Sequence, residues 1–328
     1  MDEGVLVICG ELRMSKIIDA SQEAIQNFGK DTSVFKHDFA SSGLFTDEKL
    51  AELIERYPRE YYMINTMTAQ GDKPEWRSGE INNVSGDKVL QALTEGRIWL
   101  ALRRFDVVCP EYDELVHDAF SEMEALQPGL KTFKHNSSML ISSPGARVLY
   151  HADIPYVCLF HVRGRKKLWL YDADNKEHLP DQTLEGVILR ETEEEVAYSE
   201  AWDKDASEIV LEPGTALSWQ LNAPHRVDNL DGLNVSITTD YFTPYAQKKY
   251  GVYYTNGIMR RKLGMTPKST NPNGLGAMAK CAAALAIKKS KVVKVKERTM
   301  ISTFTLDPEN IGQIIDLPEN QRTEIVQM

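Results

Sequence analysis

The sequence predicts a mainly β protein with α additions: an antiparallel barrel or jelly roll in the middle of the chain, flanked by helical segments at both ends. Three observations predict it. Between about Phe133 and Phe242 short apolar or alternating runs follow one another, with little helix-forming sequence between them. Turn residues separate those runs at Ser143-Pro144-Gly145, Arg163-Gly164 and Glu212-Pro213-Gly214. On either side of this stretch apolar residues recur at helical spacing.

Taken in order, residues 4–9 read as a short strand and 15–28 as a helix. Thr46 can cap the next helix, Asp47 and Glu48 suit its first turn, and Leu50, Leu53 and Ile54 form its apolar stripe before Pro58 stops it. Residues 61–65 read as a strand, 85–95 as a helix closed by Gly96, and 97–102 as a buried strand. Tyr112, Leu115, Val116, Ala119, Phe120 and Met123 mark an amphipathic helix that ends before Pro128-Gly129. Eight strands then follow, at 138–142, 147–153, 157–162, 167–171, 186–190, 208–211, 215–219 and 234–241. The acidic run 191–195 reads as a solvated loop or a helix start. Beyond Tyr245, residues 247–262 form a helix interrupted near Gly251, 266–276 a loop, and 277–287 an Ala-rich helix. A basic stretch, 288–298, and a last strand at 301–306 complete the chain. The expected units are an N-terminal α/β segment (1–132) packed on the core, the barrel (133–245), and a C-terminal helical extension with a basic run (246–328).

Composition narrows the class. The 328 residues are 42% hydrophobic and 26% charged, as in a soluble globular protein, and carry a net charge of −10. That balance argues against a general nucleic-acid binder while leaving room for a local basic patch. The four cysteines form no CxxC pair, and the apolar run 5–9 is too short for a secretory leader. They read as reduced thiols in a cytoplasmic protein. No stretch reaches transmembrane length.

The chemistry-bearing residues lie in the central region. In a strand, side chains two apart share a face, so His151 and Asp153 emerge together. His225 follows 72 residues later. If its strand faces theirs across a small barrel, the three form a two-His, one-carboxylate set. Such a set fills one face of an octahedral ion and leaves the opposite positions open, as in non-haem Fe(II) oxygenases. A His-x-Asp pair alone is more often an exposed strand pair than a metal site; the third ligand and the strand context change that balance. His161 shares strand parity with His151 and reads as a core residue or a support for the ligands. Trp169, Trp219 and Tyr171, at strand spacing, read as core residues.

His151-Ala152-Asp153, the run from Val162 to Tyr171, Glu212-Pro213-Gly214 and the run from Pro224 to Asn229 occur in that order. Together they resemble the cupin-like JmjC hydroxylases, Fe(II)/2-oxoglutarate-dependent oxygenases with a double-stranded β-helix core, over roughly 138–242. The resemblance implies that His151, Asp153 and His225 hold Fe(II), and that Pro213-Gly214 turns the chain into the strand delivering His225. It also implies that Lys166 pairs with the distal carboxylate of 2-oxoglutarate, where a buried dicarboxylate end needs a cation. Lys167 is the rival, since one residue of register would exchange their faces. The expected reaction is O2-dependent hydroxylation of an unidentified protein side chain or small molecule, with release of succinate and CO2. Val148 and Val157 stand where many relatives carry a hydroxyl residue and an Asn that help bind 2-oxoglutarate; Ser142, Ser236 and Thr238 are the available replacements. Two other functions stay open: a cupin-type metalloenzyme that uses no 2-oxoglutarate, and a non-catalytic metal-containing binding module. The C-terminal helices are a candidate homodimer contact.

Overall fold

A computed structural model describes residues 16–66, 76–191, 196–293 and 299–326. The expected strand at 4–9 lies outside these residues, as do 192–195 of the acidic run and 294–298 of the basic run. The N-terminal segment opens with β1 (Ile18–Asp19), a short α1 (Gln22–Asn27) and β2 (Ser33–His37). Only part of the helix expected at 15–28 forms, because Ser21 caps α1 there by accepting from the Ala24 N–H. Next come α2 (Asp47–Arg56), capped by Thr46, β3 (Tyr62–Thr66), β4 (Ser78–Glu80), α3 (Gly86–Glu95) and β5 (Ile98–Arg103). The one-turn α4 (Phe105–Val108) leads into α5 (Pro110–Leu126), which carries the expected apolar stripe.

Eight strands build the core: β6 (Phe133–Ser142), β7 (Arg147–His151), β8 (Tyr156–Arg163), β9 (Lys166–Leu170), β10 (Ser207–Leu211), β11 (Thr215–Ser218), β12 (His225–Asn229) and β13 (Asn234–Phe242). They divide into two antiparallel sets, β11-β8-β13-β6 and β10-β9-β12-β7. The chain crosses between the sets repeatedly, which is the jelly-roll or double-stranded β-helix arrangement. The count of eight matches the sequence expectation, but its membership does not. Residues 186–190 belong to helix α6 (Asp181–Ile188) and its end, not to a strand. Their apolar run fits a buried helix as well as a strand, and Pro180 with Asp181 supplies the helix start. The strand that takes their place is β12, whose sequence His-Arg-Val-Asp-Asn hides its alternation behind polar side chains.

Alternation sorts the strand residues between two cores. Cys158, Phe160, Val235 and Ile237 point away from the barrel and pack with Phe28, Phe35 and Phe120 of the N-terminal segment. Val157, Leu159 and Leu217 of the large sheet meet Leu168, Leu170, Leu211 and Val227 of the small one inside the barrel. The large sheet extends through β1 and β2 on one side and β5, β3 and β4 on the other. At that far side β14 (Thr299–Leu306) lies parallel to β4 and is joined by β15 (Ile314–Asp316) and β16 (Glu324–Val326). Between barrel and terminus stand α7 (Pro244–Leu263) and α8 (Leu275–Ser290). Helix α7 runs unbroken through Gly251, where a Cβ would come within 2.9 Å of the Cys281 Sγ. That glycine gives α8 close access to α7. No helix among the described residues is long and apolar enough to cross a membrane.

Candidate metal centre

His151 ends β7 and His225 begins β12, and the two are paired directly across the ladder of the small sheet. Their rings lie 4.1 Å apart between centroids. The two strands are hydrogen-bonded neighbours rather than partners across the barrel, so β-register sets the His–His spacing. Nor does β11 deliver His225, as Pro213-Gly214 suggested: Gly214, with φ +77°, turns the chain into β11 in the large sheet. A separate loop, 219–224, leads to His225. Asp153 stands beyond the end of β7, in the turn before β8, so period-two alternation does not place it. Its two carboxylate oxygens lie 3.8 Å from His151 Nε2 and 3.5 Å from His225 Nε2. One donor atom from each of the three residues falls within 4.8 Å of the others.

Both imidazoles are oriented by backbone carbonyls. His151 Nδ1 lies 2.7 Å from the Leu149 oxygen and His225 Nδ1 lies 3.0 Å from the Ala223 oxygen. A carbonyl can only accept, so each Nδ1 carries a proton, which leaves Nε2 as the position from which each ring can ligate an ion. This is the usual support for a metal-binding histidine. Burial, with the charge of His151 behind it, holds the His225 pKa well below the ordinary histidine value, so the ring is neutral. Burial also raises the Asp153 carboxyl above its ordinary range, with His151 opposing the shift. A half-buried carboxylate facing the Nε2 positions of two imidazoles is the donor chemistry of a divalent ion.

Lys166 sits farther inside. Along β9, Lys166, Leu168 and Leu170 are buried while Lys167 and Trp169 face outward. The Lys166 ammonium makes no hydrogen bond or ion pair among the described residues, and burial alone pulls its pKa down to about 7. Lys167 instead pairs with Glu208 at 2.9 Å and lies over the Trp169 ring. Leu170 is opposite His225 on β12 and Lys166 opposite Asn229. Four residues of strand separate those levels, about 13 Å at the usual ~3.3 Å rise. Val148 and Val157 border the apolar interior.

His161 lies on the same inner face but is fully engaged. Its Nε2 donates to the Gly164 carbonyl at 2.8 Å and its Nδ1 accepts from the Ser236 hydroxyl at 2.9 Å. Burial, with the Lys166 charge second, lowers its pKa to about 3. It has no lone pair left for a metal. Of the candidate hydroxyls, Ser236 is thus occupied and Ser142 accepts from Asn229 at 2.8 Å. Thr238, on the inner face by alternation with Ile237, makes no side-chain hydrogen bond among the described residues. Trp219 belongs to the barrel interior, as expected, and its ring lies 4.6 Å from that of His225. Trp169 does not belong to the interior: it lies on the outer face beneath the Arg226 guanidinium, 3.8 Å away. Tyr171 is buried and donates to Asp203 at 2.6 Å. A cavity of about 160 Å³ bordered by Leu170, Trp219, Ala223, Asp172 and Asp205 opens at the His225 end of the barrel.

Sequence reasoning missed Asn222. It is 3% exposed, and its Nδ2 donates to the carbonyls of Asp153 and Ile154 at 2.8 and 2.9 Å. An Asn in a turn just ahead of a candidate ligand was the available signal, since Asn favours turns and bonds to nearby backbone.

No family model and no curated protein matches this chain. Among solved structures, the X-ray structure of E. coli ycfD matches over 84% of this chain and 69% of its own, with 15% identity and a TM-score of 0.48. The complex of YcfD, a ribosomal oxygenase from Escherichia coli, with cobalt and 2-oxoglutarate covers the same shares at 15% identity and a TM-score of 0.44. Its complex with cobalt and succinic acid gives 14% identity and a TM-score of 0.42 over those shares. Likeness at this level carries no argument about the site, whose reading stands on the geometry above.

Proposed function

We propose that this chain is an Fe(II)- and 2-oxoglutarate-dependent oxygenase that hydroxylates a C–H bond of a protein side chain or small molecule. The observation that carries the reading is the combination of three convergent donors at the barrel mouth with one unpaired, buried ammonium deeper inside. His151, Asp153 and His225 would hold the ion through two Nε2 lone pairs and a carboxylate, leaving the remaining positions for co-substrate and O2. The span from the His225 level to the Lys166 backbone suits a short dicarboxylate together with an extended lysine side chain. Lys166 would receive its far carboxylate, and Thr238 is the hydroxyl left free to assist. Held by these residues, Fe(II) and 2-oxoglutarate would supply O2 activation, one oxygen atom going into succinate as CO2 leaves and the other into the hydroxylated substrate. The apolar walls formed by Val157, Leu159, Leu168 and Val227 keep water from the reacting groups. The sequence resemblance to cupin-like JmjC hydroxylases points the same way.

The test is succinate release by the Fe(II)-loaded protein with and without 2-oxoglutarate, followed by a search for a product heavier by one oxygen. No succinate, with metal still bound, would leave the cupin-type metalloenzyme without 2-oxoglutarate as the reading. We assign 133–245 as the catalytic unit, 1–132 as its brace and 246–328 as the site of self-association. Supporting the last assignment, Leu275, Met278, Ala282 and Leu285 run along the solvent side of α8 at alternating three- and four-residue spacing, the first, second and fourth 84%, 66% and 61% exposed. Sedimentation of Leu285→Asp beside the parent chain decides it: a homodimer through α8 dissociates in the variant.

A further inference from the structure

The two spacings within the candidate centre are set by different devices. His151 and His225 are held by ladder register. Asp153 is outside the ladder, in a turn whose Asp153 and Ile154 carbonyls accept no backbone N–H among the described residues. We propose that Asn222 is the positioning residue of the metal centre: its side-chain amide clamps the carboxylate-bearing turn to the loop that delivers His225. The inference rests on the metal-binding reading above.

The amide gives both of its hydrogens to the turn, one to each carbonyl, at 2.8 and 2.9 Å. Left unpaired, the two partly buried carbonyls would each lose a hydrogen bond that solvent only partly replaces. Asn222 adopts φ +66°, a left-handed conformation that Asn and Gly tolerate best. The same loop acts on its other side. The Ala223 carbonyl orients the His225 ring, and the Pro224 carbonyl accepts from the Tyr171 N–H at 2.9 Å, joining the loop to the end of β9. Lys249 on α7 donates to the Leu221 carbonyl at 3.3 Å. One short loop therefore fixes the carboxylate and one imidazole relative to each other, and among the described residues the Asn222 side chain makes the hydrogen bonds that cross from that loop to the carboxylate turn.

Two substitutions separate this role from general stability. Asn222→Gly keeps access to the left-handed backbone and deletes both donors. Asn222→Asp keeps size and turn preference but faces oxygen against two carbonyls. The first experiment is anaerobic Co(II) titration of the full chain, followed through the visible absorption of the bound ion. Both variants should bind about 10- to 100-fold more weakly than the parent, the range typical for loss of such supporting contacts. Their absorption should also change in shape, because the carboxylate no longer sits in place. The second experiment needs no metal: hydrogen exchange of the amides of Ala152, Asp153, Ile154 and Tyr156 should quicken in both variants while the amides of β13 stay protected. A folded Asn222→Gly protein that binds Co(II) within twofold of the parent, with unchanged spectrum and unchanged exchange at 152–156, overturns the proposal. Should Asn222→Gly fail to fold, the same readings on Asn222→Asp decide. A parent chain that binds no Co(II) defeats the metal-binding reading instead, and the exchange data still show whether Asn222 holds the turn.

Discussion

The small sheet treats charge differently on its two faces. On the outer face Arg226 lies between Asp203 and Asp228, at 2.7 Å from each, Arg147 meets Asp228 at 2.8 Å, and Lys167 meets Glu208 at 2.9 Å. On the inner face of the same strands, one residue away from Lys167, Lys166 is 4% exposed and has no counter-charge among the described residues. The outer charges are paired: Arg226–Asp203 fastens the strap at Glu200–Asp205 to the sheet, and Arg147–Asp228 and Lys167–Glu208 join neighbouring strands within it. The inner lysine destabilises the fold it sits in, because an ammonium removed from water without a partner is costly. A cation kept under that penalty points to a ligand, whereas a paired cation points to architecture.

The largest expected effect is at the mouth. His225→Ala removes one of three donors and should abolish stoichiometric Fe(II) binding with secondary structure retained, read by elemental analysis after anaerobic reconstitution and by circular dichroism. Asp153→Ala should do the same, and His161→Ala should keep its metal. Next is the inner face. Lys166→Ala leaves a buried carboxylate of 2-oxoglutarate unpaired, a loss of about 2–5 kcal/mol, or roughly 30- to several-thousand-fold in affinity. Lys167→Ala should change 2-oxoglutarate affinity less than twofold. Anaerobic titration of the Fe(II) forms, followed through their charge-transfer band, compares the two; a loss carried by Lys167 would reverse the assignment of faces.

A third prediction uses pH. With a pKa near 7, Lys166 loses its proton above that value, so 2-oxoglutarate affinity should fall by up to about tenfold per unit as pH rises past ~7. Lys166→Arg, charged throughout, should flatten the profile if it retains binding. Stability should move the other way. The unfolded lysine keeps its proton to about 10.4, so between pH 7 and that value the unfolded chain binds more protons and stability rises with pH. Lys166→Met should remove this dependence, as denaturant melts across the range would show. The smallest effect is on the outer face, where Glu208→Ala should cost no more than about 1 kcal/mol, since the Lys167–Glu208 pair is open to solvent on the Glu208 side.

Much of the site was legible from residue type and spacing, and its assembly was not. His151, Asp153 and His225 converge as expected, but a ladder pair and a turn bring them together, where a face of one strand and an opposing wall were anticipated. Alternation could place Lys166 only once the strand register was known, because its own run of Arg and Lys reads alike on either face. The polar strand β12 and the helix α6 were misjudged for a common reason. Tertiary surroundings overrode local pattern: a sheet interior accepted His and Asn, and the apolar run at 186–190 was buried as helix against α7. The long α7 hid its continuity behind Gly251, whose value lies in closeness to Cys281 rather than in breaking a helix.

The pairing of His151 with His225 joins positions 74 residues apart in the chain. Contacts of such long range form only after the loop-closure entropy between them has been overcome. Short stretches of this sequence hold at most one or two of the donors, so early, locally structured states have little hold on a divalent ion. The ion therefore acts on the folding equilibrium almost wholly through the native state, adding RT ln(1 + [metal]/Kd) to its stability. If the proposed iron is the ion bound, its supply and the lifetime of the folded chain would be joined in this way, and scarcity would shorten that lifetime.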